Sequence, residues 1–484
     1  IITDQQRADH TGFSGNPVVR TPNLDALAST SMVFDRAFVS NPVCMPNRST
    51  IMTGRMPSAH GVIFNDRSLN PDSTTFVGRL RDNGWRTALI GKSHLQNGSS
   101  RNAVVQLRGT PGLATPWAEG WDAVEHRERY EAGDIPDPDD FYGFERIALT
   151  LGHGAASGGH HYLWALERGA THEQLTAGFG SDSQIPERSP HWWQIFPAPF
   201  PEECYSTTFV TEKTIGFIEE MTVAKEPWMA WSSFPDPHHP LSPPAPWFDR
   251  HAPASIELPS TYDDPGEGWP EHLQWIRSLN PSTRAFVRPF GPTSEQVRES
   301  IAVTYGMIEM IDNGVGQIMS ALDRLGESEN TIVVFTSDHG DMMGDHGLML
   351  KGAMHFQGCL RVPMLIRAPG RGSGRSRSLV SSIDLPHTLL DLCGLEDHQG
   401  MQGHSLTPLL DDPSTSVREW VLVEDDFPPR AVGPGLPLKT RTLIGELGRY
   451  SRDTEGQEQL FDLDSDPDEL ADLTTHHRDV KRRA

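Results

Sequence analysis

The sequence is poor in cysteine and has no long apolar run. Its 484 residues include four cysteines that form no CxxC pair, so we expect no disulfide scaffold. These are Cys44, Cys204, Cys359 and Cys393. No stretch of about 18 uninterrupted apolar residues occurs, so we expect no transmembrane helix and no membrane partner.

Positive charge is also scarce. The chain has 41 Lys and Arg against 65 Asp and Glu, which gives a formal net charge of −24. A chain with this balance lacks the broad basic face that nucleic acids require, so we expect no nucleic-acid partner. If the substrate is an anion, basic side chains must gather locally against this acidic background.

No secretory signal is recognisable near Ile1, where the sequence opens without an initiator Met. We expect a cytoplasmic protein, with a periplasmic or secreted location left open.

Strand-like and helix-like segments alternate along the first three quarters of the chain. Helical periodicity runs over residues 74–83, 210–221 and 295–325. Short β-rich apolar runs predict strands at residues 1–4, 87–91, 228–234, 331–338 and 362–367. This alternation predicts an α/β sandwich with a mostly parallel central sheet flanked by helices.

The length predicts one large domain and a smaller one. We place an α/β domain at residues 1–375 and a smaller C-terminal α+β subdomain, with a small sheet and a tail, at 376–484. The latter rests on a predicted helix at 382–392 and predicted strands at 421–423 and 443–444. Residues 97–205 lack this alternation of strands and helices, which predicts an insertion that shapes a pocket or an oligomer contact. We expect a homo-oligomer.

Polar side chains directly follow four of the predicted strands, where ligands bind in such sheets. The pairs are Asp4 and Gln5, Lys92 and His94, His238 and His239, and Asp338 and His339. Asp4, Asp338 and His339 suit a divalent cation, and Gln5 adds an amide oxygen. Each Asp alone is equally well explained as a cap or turn former. The recurrence favours a metal site.

Cys44 opens a second pattern, because residues 44–48 read CMPNR. Pro46 suits the first turn of a helix, which places Cys44 beside a helix N-terminus that favours anions. Arg48 adds a planar fork of donors for an oxyanion. A free Cys is more often a small buried hydrophobe. The Cys-x-Pro-x-Arg spacing favours a functional role instead.

Three weaker candidates have equally good structural explanations. Asn65 is either a substrate contact or a turn residue. The Gly-His segments at residues 152–154 and 158–161 either line a pocket or serve a structural role. The pair at 192–193 forms an apolar wall for an aryl or alkyl group, or belongs to the core.

The CMPNR run resembles the motif of type I sulfatases, in which a maturation enzyme oxidises the Cys to formylglycine (3-oxoalanine). Further matches follow in the family's order over most of the chain. They are TPNLD at residues 21–25, GKSHL at 91–95, DPHHP at 236–240, TSDHG at 336–340 with GDHG at 344–347, and LFDLDSDP at 460–467. The chain is thus similar to the formylglycine-dependent sulfatases, near the arylsulfatase and phosphonate monoester hydrolase branches, which implies the fold of the alkaline phosphatase superfamily.

The resemblance implies a role for each matching residue. Asp4, Asp338 and His339 would bind one divalent cation, with Gln5 on or near it and with converted Cys44 as the nucleophile, one oxygen of its hydrated aldehyde on the metal. Arg48 and Lys92 would fix the formylglycine. Lys92, His238 and Lys351 would hold the ester oxyanions and the leaving group, with His239 and Asn65 as substrate neighbours. His94 would help to break down a covalent sulfo-enzyme intermediate. The formylglycine-generating or equivalent enzyme would be a partner.

Two departures from the common sulfatase pattern leave alternatives open. Many sulfatases have a second Asp at the position of Gln5 and Asn at that of His339, whereas this pairing is similar to phosphonate monoester hydrolases and choline sulfatases. The metal expected from sulfatases is Ca²⁺, with Mn²⁺ as the alternative from the phosphonate branch. We expect hydrolysis of small aryl or alkyl sulfate monoesters, such small anionic esters being the substrate partners. The alternatives are a phosphonate monoester hydrolase or phosphodiesterase with the same site, and a non-catalytic metal-binding relative.

Overall fold

The computed structural model describes residues 1–65, 67–98, 120–156, 158–177, 188–279, 290–427, 439–446 and 448–474. Within these ranges every helix is either too short or too polar to cross a bilayer. The described strands are β1 (Ile2–Thr3), β2 (Met32–Phe38), β3 (Arg86–Gly91), β4 (Arg146–Leu149), β5 (Trp228–Ser233), β6 (Val333–Ser337), β7 (Met364–Arg367), β8 (Gly374–Ser381), β9 (Trp420–Asp426), β10 (Lys439–Gly445), β11 (Gly448–Asp453) and β12 (Glu458–Phe461).

The described α-helices lie mostly between these strands. They are α1 (Pro22–Ser29), α2 (Cys44–Thr53), α3 (Pro57–His60), α4 (Phe76–Asp82), α5 (Arg127–Glu131), α6 (His160–Glu167), α7 (His172–Thr176), α8 (Ser206–Ala224), α9 (Ala245–Phe248), α10 (Glu271–Ser278), α11 (Ser294–Leu325), α12 (Gln357–Leu360), α13 (Asp384–Leu392) and α14 (Thr407–Asp411).

Eight strands form one large sheet in the order β4-β3-β5-β1-β6-β7-β2-β8. Only β7 runs against its neighbours among these strands, which confirms the predicted mostly parallel α/β architecture. Strands β9 to β12 form a separate antiparallel sheet in the order β12-β11-β10-β9. The fold therefore combines a helix-flanked sheet with a smaller C-terminal sheet.

Helices cover both faces of the large sheet because successive strand residues point to opposite sides. In β3, Leu89 packs into the core shared with α2, α4 and α13, whereas Ala88 and Ile90 pack into the core shared with α1, α8 and α11. The 32-residue α11 begins with a capping box between Thr293 and Gln296. Burial on both faces explains why the central strands read as continuous apolar runs.

The seven predicted strands and the four predicted helices are all present, with boundaries shifted by a few residues. The sequence reading missed both edge strands, β4 and β8, and the strand β2 beside one of them. Edge strands carry exposed polar side chains that hide the apolar alternation. In β2 the irregular register between Phe34 and Arg36 has the same effect.

Two predicted boundaries do not match the sheets. The division at residue 375 falls inside β8, and α13 packs against α2 and α4, so these elements belong with the large sheet. The segment at 97–205 is not a separate insertion, because β4 pairs with β3 at the edge of that sheet. Residues 99–119, 157 and 178–187 of this segment lie outside the described residues.

An apolar cavity of about 620 Å³ lies at the amino ends of the central strands. Its lining includes Ile1, Trp85, Trp228 and Ile332, which start or directly precede β1, β3, β5 and β6. The polar residues singled out in the sequence follow the carboxyl ends of these strands. The cavity and the candidate site therefore lie at opposite edges of the sheet.

Gly91, the last residue of β3, has a backbone conformation that only glycine adopts without strain, and it directly precedes Lys92. Its φ is +102°, and a Cβ there would collide with the carbonyl oxygen of Ser233 on β5. Gly91→Ala should lower the free energy of unfolding by about 3 kcal/mol or more, because positive φ and backbone overlap both oppose it.

Gly84→Ala is the matched control, since Gly84 has a φ of +89° but open space around the added Cβ. This substitution should lower the free energy of unfolding by only about 1 kcal/mol, because the positive φ is its only penalty. Urea unfolding of the two variants beside the parent protein checks the difference. Equal losses would show that the contact with Ser233 is unimportant.

Candidate functional site

The polar strand ends converge because β3, β5, β1 and β6 are consecutive in the sheet. Asp4 follows β1, Lys92 follows β3, and Asp338 follows β6, so all three lie at the same edge. The backbone N–H of Asp4 donates to Asp236 beyond β5, and that of Asp338 donates to Thr3. The strand pairing itself therefore positions the carboxylates.

Helix α2 brings Cys44 to this edge. Val43 is still extended, and Asn65 Oδ1 accepts from the N–H of Met45, one of the amides left free at a helix start. Asn47 Nδ2 donates to the carbonyl oxygen of Asp338 at 2.6 Å. The first turn of α2 is thus fastened to the end of β6. Cys44 is the first residue of this helix, which confirms the predicted helix N-terminus beside it. Asn65 caps the helix here, and its contact with substrate stays a prediction.

Four donor groups gather in a space that suits one cation. Ligand atoms of Asp4, Cys44, Asp338 and His339 all lie within 4.8 Å of one another, and all four residues are buried. His339 Nε2 lies 3.1 Å from Cys44 Sγ, 3.6 Å from Asp4 Oδ1 and 3.5 Å from Asp338 Oδ1. Two carboxylates and an imidazole fit a divalent cation, so these residues match the predicted metal set.

Gln5 belongs to the same cluster through its hydrogen bonds. Its Oε1 accepts from Lys351 Nζ, its Nε2 donates to Asp341, and its backbone N–H donates to Asp338 Oδ1. The amide oxygen is therefore engaged by a cation of the protein itself. In this arrangement Gln5 lies beside the cluster of donors rather than within it.

Asp4 stays ionised because cations surround it. Burial raises the pKa of Asp4, but the opposing charges of Lys92 and His238 outweigh it and bring the pKa well below the usual range. Burial and Asp4 raise the pKa of the Cys44 thiol, yet Lys351, Lys92 and His339 together lower it well below normal. The site as a whole therefore favours negative charge at residue 44.

Arg48 does not have the free fork of donors that its position in the sequence predicted. Its Nε donates to Asp338 at 2.7 Å, and its Nη1 donates to the carbonyl oxygen of Lys92 and to Ser233 Oγ. Only Nη2, 3.9 Å from Asp4 Oδ2, lacks a hydrogen-bond partner among the described residues. The guanidinium holds the strand ends together, so bidentate binding of a substrate oxyanion by Arg48 is excluded in this arrangement.

Lys92 and Lys351 bring two ammonium groups to the site. Lys92 Nζ donates to Asp4, and Lys351 Nζ lies 3.4 Å from Cys44 Sγ. Lys351 comes from the loop after β6, far from Cys44 in sequence. Residue 44 is therefore flanked by the cations that the resemblance implies.

Flat rings form one wall of the site. His238 stacks on His239 with centroids 4.0 Å apart, and His153 stacks on the other side of His238 at 3.7 Å. His239 Nδ1 faces Gln5 Nε2 at 3.4 Å, and the buried Trp192 packs beside His239. The structure thus places both predicted histidines of the DPHHP run near the cluster of donors.

His94 lies two residues beyond Lys92 in the chain and has a φ of +56°. Its backbone N–H donates to the buried carboxylate of Glu125. Burial, followed by the charges of Lys92 and Arg48, lowers the pKa of His94 well below normal. Its Nδ1 is buried without a hydrogen-bond partner in the described part of the chain. His94 is therefore a neutral imidazole with one nitrogen that no described group uses.

Sequence reasoning gave little weight to three residues of the site. Ser233 and Asp341 bind Arg48 and Gln5 respectively. His153 Nε2 lies 2.8 Å from Lys92 Nζ and 3.3 Å from Asp4 Oδ2. Burial and then the Lys92 charge lower the pKa of His153 to about 4. The missing signal was strand β4: had it been recognised, His153 would have counted as another polar residue beyond a strand end. His160 and His161 bind backbone groups instead.

Comparison with known proteins gives matches over most of the chain. The sulfatase family model matches residues 1–395, and the model for the C-terminal region of N-sulphoglucosamine sulphohydrolase matches residues 344–482. The chain is 26% identical over 488 residues to an arylsulfatase of Clostridium perfringens, covering 98% of the chain and 89% of that relative. It is 26% identical over 472 residues to a choline-sulfatase of Rhizobium meliloti, covering 95% and 78%.

Solved structures give the same fold. The phosphonate monoester hydrolase of Agrobacterium radiobacter superposes with a TM-score of 0.76 at 24% identity, covering 100% of this chain and 92% of that one. The family match spans far more than half of the sequence. The chain therefore belongs to the sulfatase family and is a sulfuric ester hydrolase, as its ordered motifs predicted.

Proposed function

We propose that the protein hydrolyses sulfate monoesters of small aryl or alkyl alcohols, with formylglycine derived from Cys44 as the nucleophile. One observation carries this proposal: Cys44 Sγ lies among His339 Nε2, Asp4 Oδ1 and Lys351 Nζ, at 3.1, 3.7 and 3.4 Å. A nucleophile at this position lies beside the donors that would hold a metal. It also lies beside the Lys351 ammonium, which can bind an anionic ester. The arylsulfatase and choline-sulfatase relatives support the same ester class.

The donor cluster fits a resident cation held by Asp4, Asp338, His339 and residue 44, with Gln5 close by. When bound, a divalent cation lowers the pKa of a neighbouring hydroxyl, which lets it act as a nucleophile near neutral pH. Carboxylate ligands favour Ca²⁺, and Mn²⁺ is the alternative because of His339.

The chemistry requires a hydrated aldehyde at residue 44, which carries two hydroxyl groups. One hydroxyl loses its proton and attacks sulfur, the S–O bond to the alcohol breaks, and the alcohol leaves with a proton. The remaining hydroxyl then loses its proton to a neighbouring base, the C–O bond to sulfate breaks, and the aldehyde forms again. We assign that base to His94. A thiol has no second hydroxyl and cannot complete the second half.

The surrounding donors suit the transition state of sulfuryl transfer. In such loose transfers, charge collects on the peripheral oxygens and on the leaving group, so catalysis depends on fixed positive groups. Lys92, Lys351 and His238 provide those donors. His239 completes the wall near the leaving group.

A second candidate is hydrolysis of phosphonate monoesters or phosphodiesters at the same site. Gln5 and His339 favour it, since this pairing is similar to that branch of the superfamily. The similar fold of the Agrobacterium radiobacter enzyme is compatible with either reaction.

The two candidates predict opposite substrate orders. We expect kcat/KM for 4-nitrophenyl sulfate to exceed the values for 4-nitrophenyl phenylphosphonate and bis(4-nitrophenyl) phosphate, because each peripheral sulfate oxygen meets a donor. Release of 4-nitrophenol under one set of conditions measures all three. A higher value for either phosphorus ester would favour the second candidate.

Conversion of Cys44 can be tested directly. After co-expression with a formylglycine-generating enzyme, we expect an aminooxy probe to label the tryptic peptide of residues 37–48, since only an aldehyde forms the oxime. Peptide mass spectrometry locates the label. Cys44→Ser and the preparation without the maturation enzyme should remain unlabelled. Full turnover by an unlabelled protein would refute the nucleophile proposed here.

Metal binding should stabilise the fold. Adding Ca²⁺ to chelator-treated protein at about 100 times its Kd should raise the free energy of unfolding by about 2.7 kcal/mol. Asp338→Asn should abolish this gain, because it removes a charged donor. Glu329→Gln should keep it, because Glu329 is exposed in the short 3₁₀ helix before β6, at the other end of that strand from Asp338. Calcium-dependent stabilisation that persists in Asp338→Asn would exclude the assigned site.

A further inference from the structure

His153 lies in the loop that follows β4, outside every motif that identified the site. Its Nε2 is 2.8 Å from Lys92 Nζ, and its ring is parallel to that of His238 within 17°. We propose that His153 is a positioning residue that holds the Lys92 ammonium, and the ring of His238 beside it, in the orientation needed to bind the ester oxyanion. This inference rests on the role given to Lys92 in the proposed function.

The direction of the hydrogen bond follows from the groups involved. An ammonium can only donate, so Lys92 donates to the lone pair on His153 Nε2, which places the imidazole proton on Nδ1. Nε2 also lies 3.3 Å from Asp4 Oδ2 but cannot donate there while it accepts from Lys92. With one N–H directed to Asp4 and one to His153, Lys92 keeps a third for a substrate oxygen.

The loop that carries His153 is closely fitted. Gly152 and Gly154 have φ values of +86° and +52°. A Cβ on Gly154 would collide with Pro240 and Ser242, beside the two stacked histidines. The N–H of Ala155 donates to Ser242 Oγ at 2.7 Å. The backbone that follows His153 is therefore fixed against the segment that carries His238.

The exposed fractions of three side chains show where His153 lies relative to the ion pair of Lys92 and Asp4. The side chains of Asp4 and Lys92 are 0% and 6% exposed, whereas that of His153 is 21% exposed. His153 is thus the more accessible neighbour of a buried ion pair. Without its acceptor, the flexible lysine has one fewer contact to fix its ammonium.

Two substitutions distinguish the role of the hydrogen-bond acceptor, His153 Nε2, from the role of the flat ring. His153→Phe keeps a flat ring against His238 but removes the acceptor, and His153→Gln keeps an acceptor near the position of Nε2. For a sulfate ester, we expect His153→Phe to lower kcat/KM by about 10- to 100-fold, mainly through kcat, since displacement of a positioned group by about 1 Å has this effect. His153→Gln should recover most of the loss.

A double-mutant cycle identifies the partner. In the Lys92→Ala background, His153→Phe should change kcat/KM by less than about threefold, because the interaction it removes is already absent. An equal loss in both backgrounds would show that His153 acts independently of Lys92 and would overturn the proposal. Circular dichroism and thermal unfolding confirm that each variant is folded.

A crystal structure of each variant provides a readout without turnover. We expect Lys92 Nζ to leave Asp4, or to lose order, in His153→Phe and to stay in His153→Gln. An unmoved, ordered Lys92 in His153→Phe would refute the positioning role. If the parent protein cleaves no sulfate ester, the proposed function fails, and these structures still decide the role of His153.

Discussion

The arrangement of the site depends on one buried guanidinium. Arg48 is 1% exposed, and it joins the first turn of α2 to the ends of β3, β5 and β6 through Lys92 O, Ser233 Oγ and Asp338 Oδ2. A buried cation of this kind is tolerated only when its donors are paired. The same pairing that offsets its desolvation therefore fixes Asp338, the proposed metal ligand, and Cys44, the proposed nucleophile, relative to each other.

The three cations near residue 44 have different roles because they make different contacts. Arg48 is engaged by the protein through Nε and Nη1. Lys92 shares its donors between Asp4 and His153, whereas Lys351 extends from a loop to Gln5 and Cys44. Only the two lysines, with their rotatable donors, can adapt to a substrate oxyanion. A chain of net charge −24 thus binds an anion by concentrating its few cations at one sheet edge.

The central part of the fold and most of the site were predictable from the sequence because they have local signals. Buried strands such as β6 are continuous apolar runs, and the residues that follow them in a parallel sheet must meet at one edge. The edge strands were not predictable, since their exposed faces are polar. Because β4 was not recognised, nothing in the sequence indicated that His153 follows the end of a strand. The engagement of Arg48 was also hidden, because hydrogen bonds to Ser233 and to a backbone carbonyl leave no pattern in sequence.

The proposed preference for sulfate over phosphonate esters rests on the number of hydrogen-bond donors around residue 44 more than on charge. A sulfate monoester and a phosphonate monoester each carry one negative charge, so the metal and the two lysines attract both. They differ in one substituent, because a phosphonate has carbon where sulfate has a third peripheral oxygen. Lys92, Lys351 and His238 present polar N–H groups around residue 44, and a carbon substituent facing one of them would leave that donor unpaired. Loss of a hydrogen bond to a charged group costs about 1.5 to 3 kcal/mol. Under the proposed function the site would discriminate through the number of oxygens that it can bind, and the orientation of Lys92 would determine one of those contacts.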